Sequence, residues 1–412
     1  MNRLDIGVVG AGFAGAAAAL FLAERGHRVT VYEEAAHPEP VGAGILMQPS
    51  GLSVLADLGL LDGALARGSR VESLRCKTPS GRPVLDLSYR DLFPAWSGLG
   101  MHRGALFELL HDQLSSRGVP VIAGASVRSS RLVSRGIRPI LQDGTEPGQH
   151  QLLVVADGAR SALRRRIQGA QATPYPWGAL WFVGRDPDSI FAGSLQQVAD
   201  GTTTLLGFLP CGLGPTRAGN VPLVSLFWSL PVADFRRRDF ELSRWKARVL
   251  ELEPRAEQLL GQINHERQLL PASYFDVQLP RFDAERLVFI GDAAHATSPQ
   301  LGQGTNLALE DARALASCVS GSRELADGLA RFNAERRSHA SYYQLASWGL
   351  TPFFQSDFSA LGPVRDALLG ALCRFPPSRR LMLQTLAGVQ RGFLGSTVRL
   401  GPIQARLGRK LR

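Results

Sequence analysis

Cysteine is scarce. The 412 residues hold four, Cys76, Cys211, Cys318 and Cys373, all far apart. No C-x-x-C pair or zinc-like spacing occurs, which argues against a disulfide scaffold or a zinc module and sets a reduced, cytoplasmic chain as the expectation. Metal ligation is not expected. Lysine is scarcer still, with three residues (Lys77, Lys246, Lys410) against 43 arginines. The net charge is +10. A skew this one-sided reads as genome composition and an Arg-rich solvated face, so no nucleic-acid partner is expected. No run approaches 18 uninterrupted apolar residues, so no membrane insertion is expected. No basic segment leads into a cleavable apolar stretch at the start. Internal repeats and low-complexity linkers are also absent. The 69 Gly and Pro residues follow no three-residue period, which excludes collagen and predicts many turns. Apolar residues reach 45%, enough for a large packed core.

The opening is the most informative stretch. Ile6 to Val9 reads as a buried strand. Gly10-Ala11-Gly12-Phe13-Ala14-Gly15 follows, then a helix-forming run from Ala16 to Arg25 that Gly26 stops. Arg28 to Tyr32 reads as a second strand, closed by Glu33. Strand, glycine turn, helix, strand and acid make a dinucleotide-binding order. Gly10 permits the tight turn, Gly12 lets backbone approach a diphosphate, and Gly15 lets helix pack on strand. The first helical amides point at the anion. Glu33 is placed to accept ribose hydroxyls and would repel a 2′-phosphate, leaving FAD or NAD on this half.

Further on, Gly42-Ala43-Gly44-Ile45 suggests backbone passing close to something flat or large, or an ordinary loop. Arg103 to Arg117 is an amphipathic helix whose leading Arg is unfavourable for the helix dipole. Gln151 to Ala156 is a strand ended by Asp157-Gly158, with Ala159 to Arg166 starting a short helix. Residues 175 to 230 give short strands over Gly178 to Val183, Thr203 to Leu209 and Val221 to Leu230. One face carries Trp181, Phe208, Phe227 and Trp228, or an alternating subset. Residues 235 to 262 read as helical. Arg286 to Ile290 is again a strand, running into Gly291-Asp292-Ala293-Ala294-His295, then Pro299, Gly302, Gly304, Thr305 and Asn306, and a helix from Leu307 to Val319. His295 reads as a loop-holding residue. The last seventy residues form helical pieces near 329 to 347, 363 to 374 and 379 to 394, with Phe353, Phe354 and Phe358 near a pocket. The basic tail from Arg399 to Arg412 reads either as a frayed end or as peripheral contact with an anionic membrane surface.

These motifs resemble the single-component FAD-dependent aromatic hydroxylases, the class A flavoprotein monooxygenases. Gly10, Gly12, Gly15 and Glu33 match their ADP-binding fingerprint. Asp157-Gly158-Ala159-Arg160-Ser161 with Arg164 matches their DG motif. Gly291-Asp292 through Pro299, Gly302, Gly304, Asn306 and Asp311 matches their GD motif. Residues 42 to 59 resemble the salicylate-hydroxylase-like branch. Gln300 departs from the family, where a small or apolar residue is frequent.

The resemblance implies an α/β chain with a glutathione-reductase-like, Rossmann-type FAD domain (1–70, 101–172 and 281–345). Interleaved with it is a mainly antiparallel substrate sheet (71–100 and 173–280), and a helical region follows (346–412). FAD would be held by Gly10, Gly12, Phe13, Ala14, Gly15, Glu33, Glu34, Gly44, Arg103, Asp157, Arg160, Asp292, Pro299, Gly302, Gly304, Thr305 and Asn306. Asp157 and Arg160 would also assist a passing NADH or NADPH, for which the family keeps no second nucleotide domain. Trp181, Phe208, Phe227 and Gln300 would line the site of a small aromatic substrate. The implied reaction is hydroxylation through a flavin C4a-hydroperoxide formed with O2. Epoxidation, Baeyer–Villiger-type insertion, reduction without oxygen transfer and a redox-sensing interaction module stay open beside it. No substrate base is identified, and a monomer or homodimer is expected.

Overall fold

The computed structural model describes residues 3–39, 42–216, 219–236, 240–392 and 397. The expected basic tail over 399 to 412 lies outside the described residues.

The elements run β1 (Asp5–Val9), α1 (Phe13–Glu24), β2 (Arg28–Tyr32), β3 (Gly44–Met47), α2 (Pro49–Asp57), α3 (Leu61–Arg67), β4 (Ser69–Lys77), β5 (Pro83–Ser88), β6 (Gly98–His102) and α4 (Arg103–Ser116). Next come β7 (Val121–Ile122), β8 (Val127–Val133), β9 (Gly136–Leu141), β10 (Leu152–Val155), β11 (Gln171–Arg185), β12 (Gly193–Asp200), β13 (Thr204–Gly212), β14 (Leu223–Pro231), α5 (Leu242–Leu252) and α6 (Glu257–Leu260). The chain closes with β15 (Leu270–Gln278), β16 (Asp283–Ala284), β17 (Leu287–Phe289), α7 (Asp292–His295), α8 (Gly304–Ser320), α9 (Leu325–Leu350), α10 (Leu361–Arg374) and α11 (Pro376–Leu386).

Two sheets organise them. The first has six strands in the order β16-β17-β10-β1-β2-β7. β1 pairs in parallel with β2 on one side and β10 on the other, and β10 pairs in parallel with β17. These strands are buried on both faces, as a parallel sheet requires: α1 packs with α4 and α8, and the β8–β9 hairpin contacts β10 within the same apolar core. α1 is buried all round from Ala14 to Leu22, and its alanines allow close packing beneath α8 and α4.

The second sheet has nine strands, with the path β15-β11-β14-β13-β12-β4-β6-β3 and β5 beside β4. It is mixed: β12 pairs with β4 in parallel. β3 pairs with β6, so this sheet also draws a strand from within the first seventy residues.

Cross-strand register sorts its aromatics. Trp181 lies opposite Phe227, whereas Phe208 lies opposite Leu226. Neighbouring residues on a strand face opposite ways, so Trp181 and Phe227 share one face and Phe208 and Trp228 the other. α5 and α6 cover the second face, with Leu180, Leu206, Leu226 and Trp245 in its core.

Some elements differ from the expectation. Ala159 to Arg166 yields only a short 3-10 turn at Leu163–Arg166. β12 and β15 were not anticipated. Pro376 and Pro377 separate α10 from α11 by opening the latter, where a missing N–H costs no bond.

Candidate active site

The site begins at strand ends. Val9 is in register with Val155, and Val155 with Phe289. The turns after β1, β10 and β17 therefore emerge side by side. β1 connects to β2 on one side while β10 enters on the other. The crevice between them is the switch point at which open α/β sheets bind ligands.

Close approach fixes two of the three glycines in the first turn. Gly10 has φ +94, and a Cβ on it would lie 2.5 Å from the Ala156 carbonyl oxygen. A Cβ on Gly15 would lie 1.9 Å from the Gly10 carbonyl oxygen. Gly12 is different: its Cβ would meet no atom within 4 Å. Nothing in the packing demands glycine there, but a side chain would stand over the start of α1. That helix has no side-chain cap and no acid in its first turn, so its leading amides remain available to an anion. Glu33 accepts from the amides of Ala11 at 2.8 Å and Ala35 at 2.9 Å, which rigidifies the turn. Glu34 is exposed and faces Arg128 at 3.7 Å. His111, which the sequence did not flag, reaches the Ala11 carbonyl at 2.9 Å and stacks on Phe107.

The turn after β10 is clasped by Arg164. Its guanidinium donates to the carbonyls of Gly158 (3.2 Å), Ala159 (2.8 Å) and Ala293 (3.0 Å), tying this turn to α7. Arg164 is thus the buried positioning group, while Arg160 is exposed, its guanidinium 5.5 Å from the centre of the Phe275 ring. Burial pushes Asp157 up to about 6. Its Oδ1 is buried without a hydrogen-bond partner among the described residues.

The turn after β17 has a buried ionic foundation. Asp311 accepts from the Gly291 amide (2.9 Å), His295 Nε2 (2.5 Å) and Arg336 Nε (2.7 Å). Although burial opposes it, His295 and Arg336 hold the Asp311 carboxyl well below the usual carboxylate range. Arg336 also reaches Glu310 at 3.4 Å and His339 Nδ1 at 2.6 Å. His295 is spent in this network. Asp292, one residue after Gly291, is exposed. A Cβ on Gly291 would sit 3.0 Å from Ala14 Cβ and 3.2 Å from Ala308 Cβ, so α1, α8 and this turn meet.

The loop into α8 turns its amides inward and leaves its small residues outside. Pro299, Gly302 and Gly304 are exposed and Thr305 is half-buried. Asn306 is fully buried; its Oδ1 accepts from the Gln48 amide (2.8 Å), and its Nδ2 donates to the carbonyls of Leu46 (3.1 Å) and Gly302 (3.2 Å). Its side chain is committed to holding the loop, so any contact with a ring comes from backbone. Gln303 similarly donates to Thr385 (3.1 Å) and Leu386 (2.7 Å) of α11.

Arg103 arches over Phe13, 5.3 Å from the ring centre, and a Cβ on Gly42 would lie 2.9 Å from Arg103 Cδ. Gly44 is explained by packing: its Cβ would meet Cys211 Sγ at 2.5 Å, and its amide donates to Ser225 Oγ at 3.0 Å. Ser225 and Phe227 share one face of β14, so the Trp181–Phe227 face is the one turned toward Gly44 at the start of β3.

Of the four residues expected to line a substrate, Phe208 is a correction. It is 1% exposed and stacks on Phe191 with ring centres 4.2 Å apart, beneath α5 on the far face. Its alternation along β13 puts it there. Trp181 and Phe227 lie together, ring centres 5.0 Å apart, and a Cβ on Gly207 would be 2.1 Å from the Phe227 ring. Gln300 donates to Gln355 at 2.7 Å, which ties its loop to the turn after α9. Tyr274 on β15 was missed: Trp181 Nε1 donates to its hydroxyl oxygen at 3.1 Å. Burial pushes that phenol up to about 12, so it stays neutral.

These residues fit FAD. A helix end kept bare by Gly12, exposed Asp292 and an orphaned Asp157 oxygen stand on adjacent turns, with exposed glycines in the loop beside them. The sequence profile of the FAD binding domain family matches residues 3–343. The chain belongs to the class A FAD-dependent aromatic monooxygenases. It is 27% identical over 374 residues to the aurachin C monooxygenase/isomerase of Stigmatella aurantiaca, covering 89% of this chain and 94% of that protein. It is 29% identical over 377 residues to the kynurenine 3-monooxygenase of Salinispora arenicola, covering 82% and 77%. Its fold matches that of Klebsiella pneumoniae HpxO complexed with FAD and uric acid, with a TM-score of 0.77 at 20% identity over 95% of this chain and 98% of that one. Among the described residues of this monooxygenase, no helix is long and apolar enough to cross a membrane.

Proposed function

We propose that this monooxygenase hydroxylates an electron-rich aromatic ring bearing an oxygen that accepts a hydrogen bond, with NADH or NADPH as transient donor and O2 as co-substrate. The chemistry FAD supplies when bound is hydride acceptance from the nicotinamide and activation of O2. The chain's own residues bind, orient and shield. Gly10, Gly12 and Gly15, with Phe13 and Ala14, hold the diphosphate at the start of α1, and Glu33 and Asp292 serve the sugar hydroxyls. The loop from Pro299 to Asn306 offers backbone to the ring system. Arg160, exposed beside Asp157, steers the anionic donor. Trp181 and Phe227, side by side on one face of the sheet, form an apolar wall for the substrate ring and exclude water from it.

The observation that carries this reading is the Trp181–Tyr274 hydrogen bond. The indole N–H occupies one lone pair of the phenol oxygen, and the O–H donates to no group among the described residues. A neutral donor held this way suits a phenolic or carbonyl oxygen on the substrate. The aurachin C and kynurenine relatives accord with a substituted aromatic substrate. The four cysteines are free and buried, which suits the cytoplasm, where we place the chain as a monomer or homodimer.

The test is Tyr274→Phe in the flavin-loaded enzyme. NADH and NADPH oxidation is followed against phenols, quinolones and aminoarenes under labelled O2. Losing a donor to a charged or polarised oxygen costs about 1.5–3 kcal/mol. We expect kcat/KM to fall about 10- to 100-fold with FAD affinity unchanged, labelled oxygen in the product, and more released peroxide. Unlabelled product, or kcat/KM unaffected by the substitution, overturns the reading.

A further inference from the structure

A surface helix ordinarily turns a polar face outward. α10 does not. Its inner face, Gly362, Arg365, Leu369 and Cys373, is buried. At about 100° per residue, Val364, Ala367, Leu368, Ala371 and Phe375 fall within one arc on the opposite side. All five are exposed, Val364 at 49%, Leu368 at 46% and Phe375 at 60%. Phe358, just before the helix, is 71% exposed. Leu345 and Trp348, at the end of α9, are exposed too. A contiguous apolar face of this kind marks an interaction surface.

Charge identifies what covers it. From Ala367 to Gly392 the chain contains no acidic residue and four arginines, Arg374, Arg379, Arg380 and Arg391. Arg374, the last residue of α10 and at the border of the apolar arc, and Arg380, on the following helix α11, are exposed. Nearby acids are already paired: Asp366 with Arg365 and Arg82, and Asp91 with Arg379. Asp357, beside Phe358, is exposed. The helix has 14 residues, too short to span a bilayer and suited to lying in its interface.

We propose that the outward face of α10, with Phe358 and Phe375 at its ends, docks this monooxygenase on an anionic lipid surface. The apolar residues enter the headgroup boundary while the surrounding arginines meet lipid phosphates. This inference stands independently of the substrate reading.

The experiment is cosedimentation of the flavin-loaded full chain with vesicles of phosphatidylcholine alone or mixed in equal parts with phosphatidylglycerol. We expect at least about tenfold stronger partition to the anionic vesicles, weakened by high salt in the unmodified enzyme. The paired substitution Leu368→Ser with Phe375→Ser lowers partition about tenfold or more. Arg374→Glu with Arg380→Glu does likewise. Unchanged flavin absorbance shows that each variant is folded, and the salt series needs no variant. No partition, equal partition to both vesicle types, or variants that bind like the parent overturns the proposal. So does light scattering that shows a dimer dissociated by the serine pair, which assigns the face to a second copy of the chain.

Discussion

Replacing Gly12 by Val separates folding from cofactor binding, because the two make opposite demands at this position. The backbone there has φ −66 and ψ −176, extended geometry open to any residue, and its Cβ direction meets no atom within 4 Å. The folding cost is therefore that of a neutral surface change, within about 0.5 kcal/mol. The added methyls stand over the first amides of α1. Charge-assisted hydrogen bonds contribute about 1.5–3 kcal/mol each, so losing two costs about 3–6 kcal/mol. At 1.4 kcal/mol per factor of ten, FAD affinity falls about 100- to 10,000-fold. Gly15→Ala is the counterpart. Its Cβ falls 1.9 Å from the Gly10 carbonyl oxygen, backbone against which nothing flexible can yield. Overpacking of this kind costs about 1–3 kcal/mol or more, so that variant unfolds earlier. Thermal unfolding of the flavin-free protein and fluorescence titration with FAD read the two effects. A Gly12→Val protein that binds FAD like the parent, or that melts as early as Gly15→Ala, would refute the reasoning.

Four other variants follow from the same geometry. Arg164→Met leaves the carbonyls of Gly158, Ala159 and Ala293 without their shared donor, at about 2–4 kcal/mol, and lowers both the melting temperature and FAD affinity. Arg160→Ala, removing an exposed side chain, changes FAD affinity less than about twofold, and equal losses in the two titrations would contradict the assigned roles. Asp157 rises from 3.8 to about 6 on folding, so the folded flavin-free protein binds more protons and loses stability as pH climbs from about 4 to about 6. Asp157→Asn removes that slope: denaturant titrations should match near pH 4 and favour the variant by about 1–3 kcal/mol at pH 7, and a constant gap across the window would contradict this. Asp311→Ala strands Arg336 and His295 in the core and costs about 3–5 kcal/mol, read as a lowered denaturant midpoint, whereas an unchanged midpoint would remove the ionic foundation from the account.

Local pattern made much of this chain legible, and long-range pairing hid the rest. Gly10 to Gly15 and Glu33 were readable because the turn, helix and following strand are contiguous. The turns at Asp157 and Asp292 were readable as strand ends. That all three converge depends on Val9, Val155 and Phe289 sharing register, which no local signal carries. Phe208 and Phe227 both looked like candidate pocket residues; only the pairing of β13 with β14 decides which face each takes. β15 was obscured by Pro271, tolerable because the strand lies at a sheet edge, and Tyr274 was missed with it. Asn306 looked like a cofactor contact, yet its amide holds Leu46 and Gln48, about 260 residues away in the chain. Arg164 sits in a run of arginines whose sequence does not show which one turns inward.

The convergence of three separate turns on one FAD is the claim on which the rest depends, and hydrogen exchange read by mass spectrometry tests it most directly. On adding FAD, the account predicts that peptides covering residues 9–16, 155–164 and 290–306 slow together, while α5 on the far side of the second sheet exchanges as before. Slowing confined to residues 9–16 would mean that the first turn alone holds the nucleotide, and would contradict it.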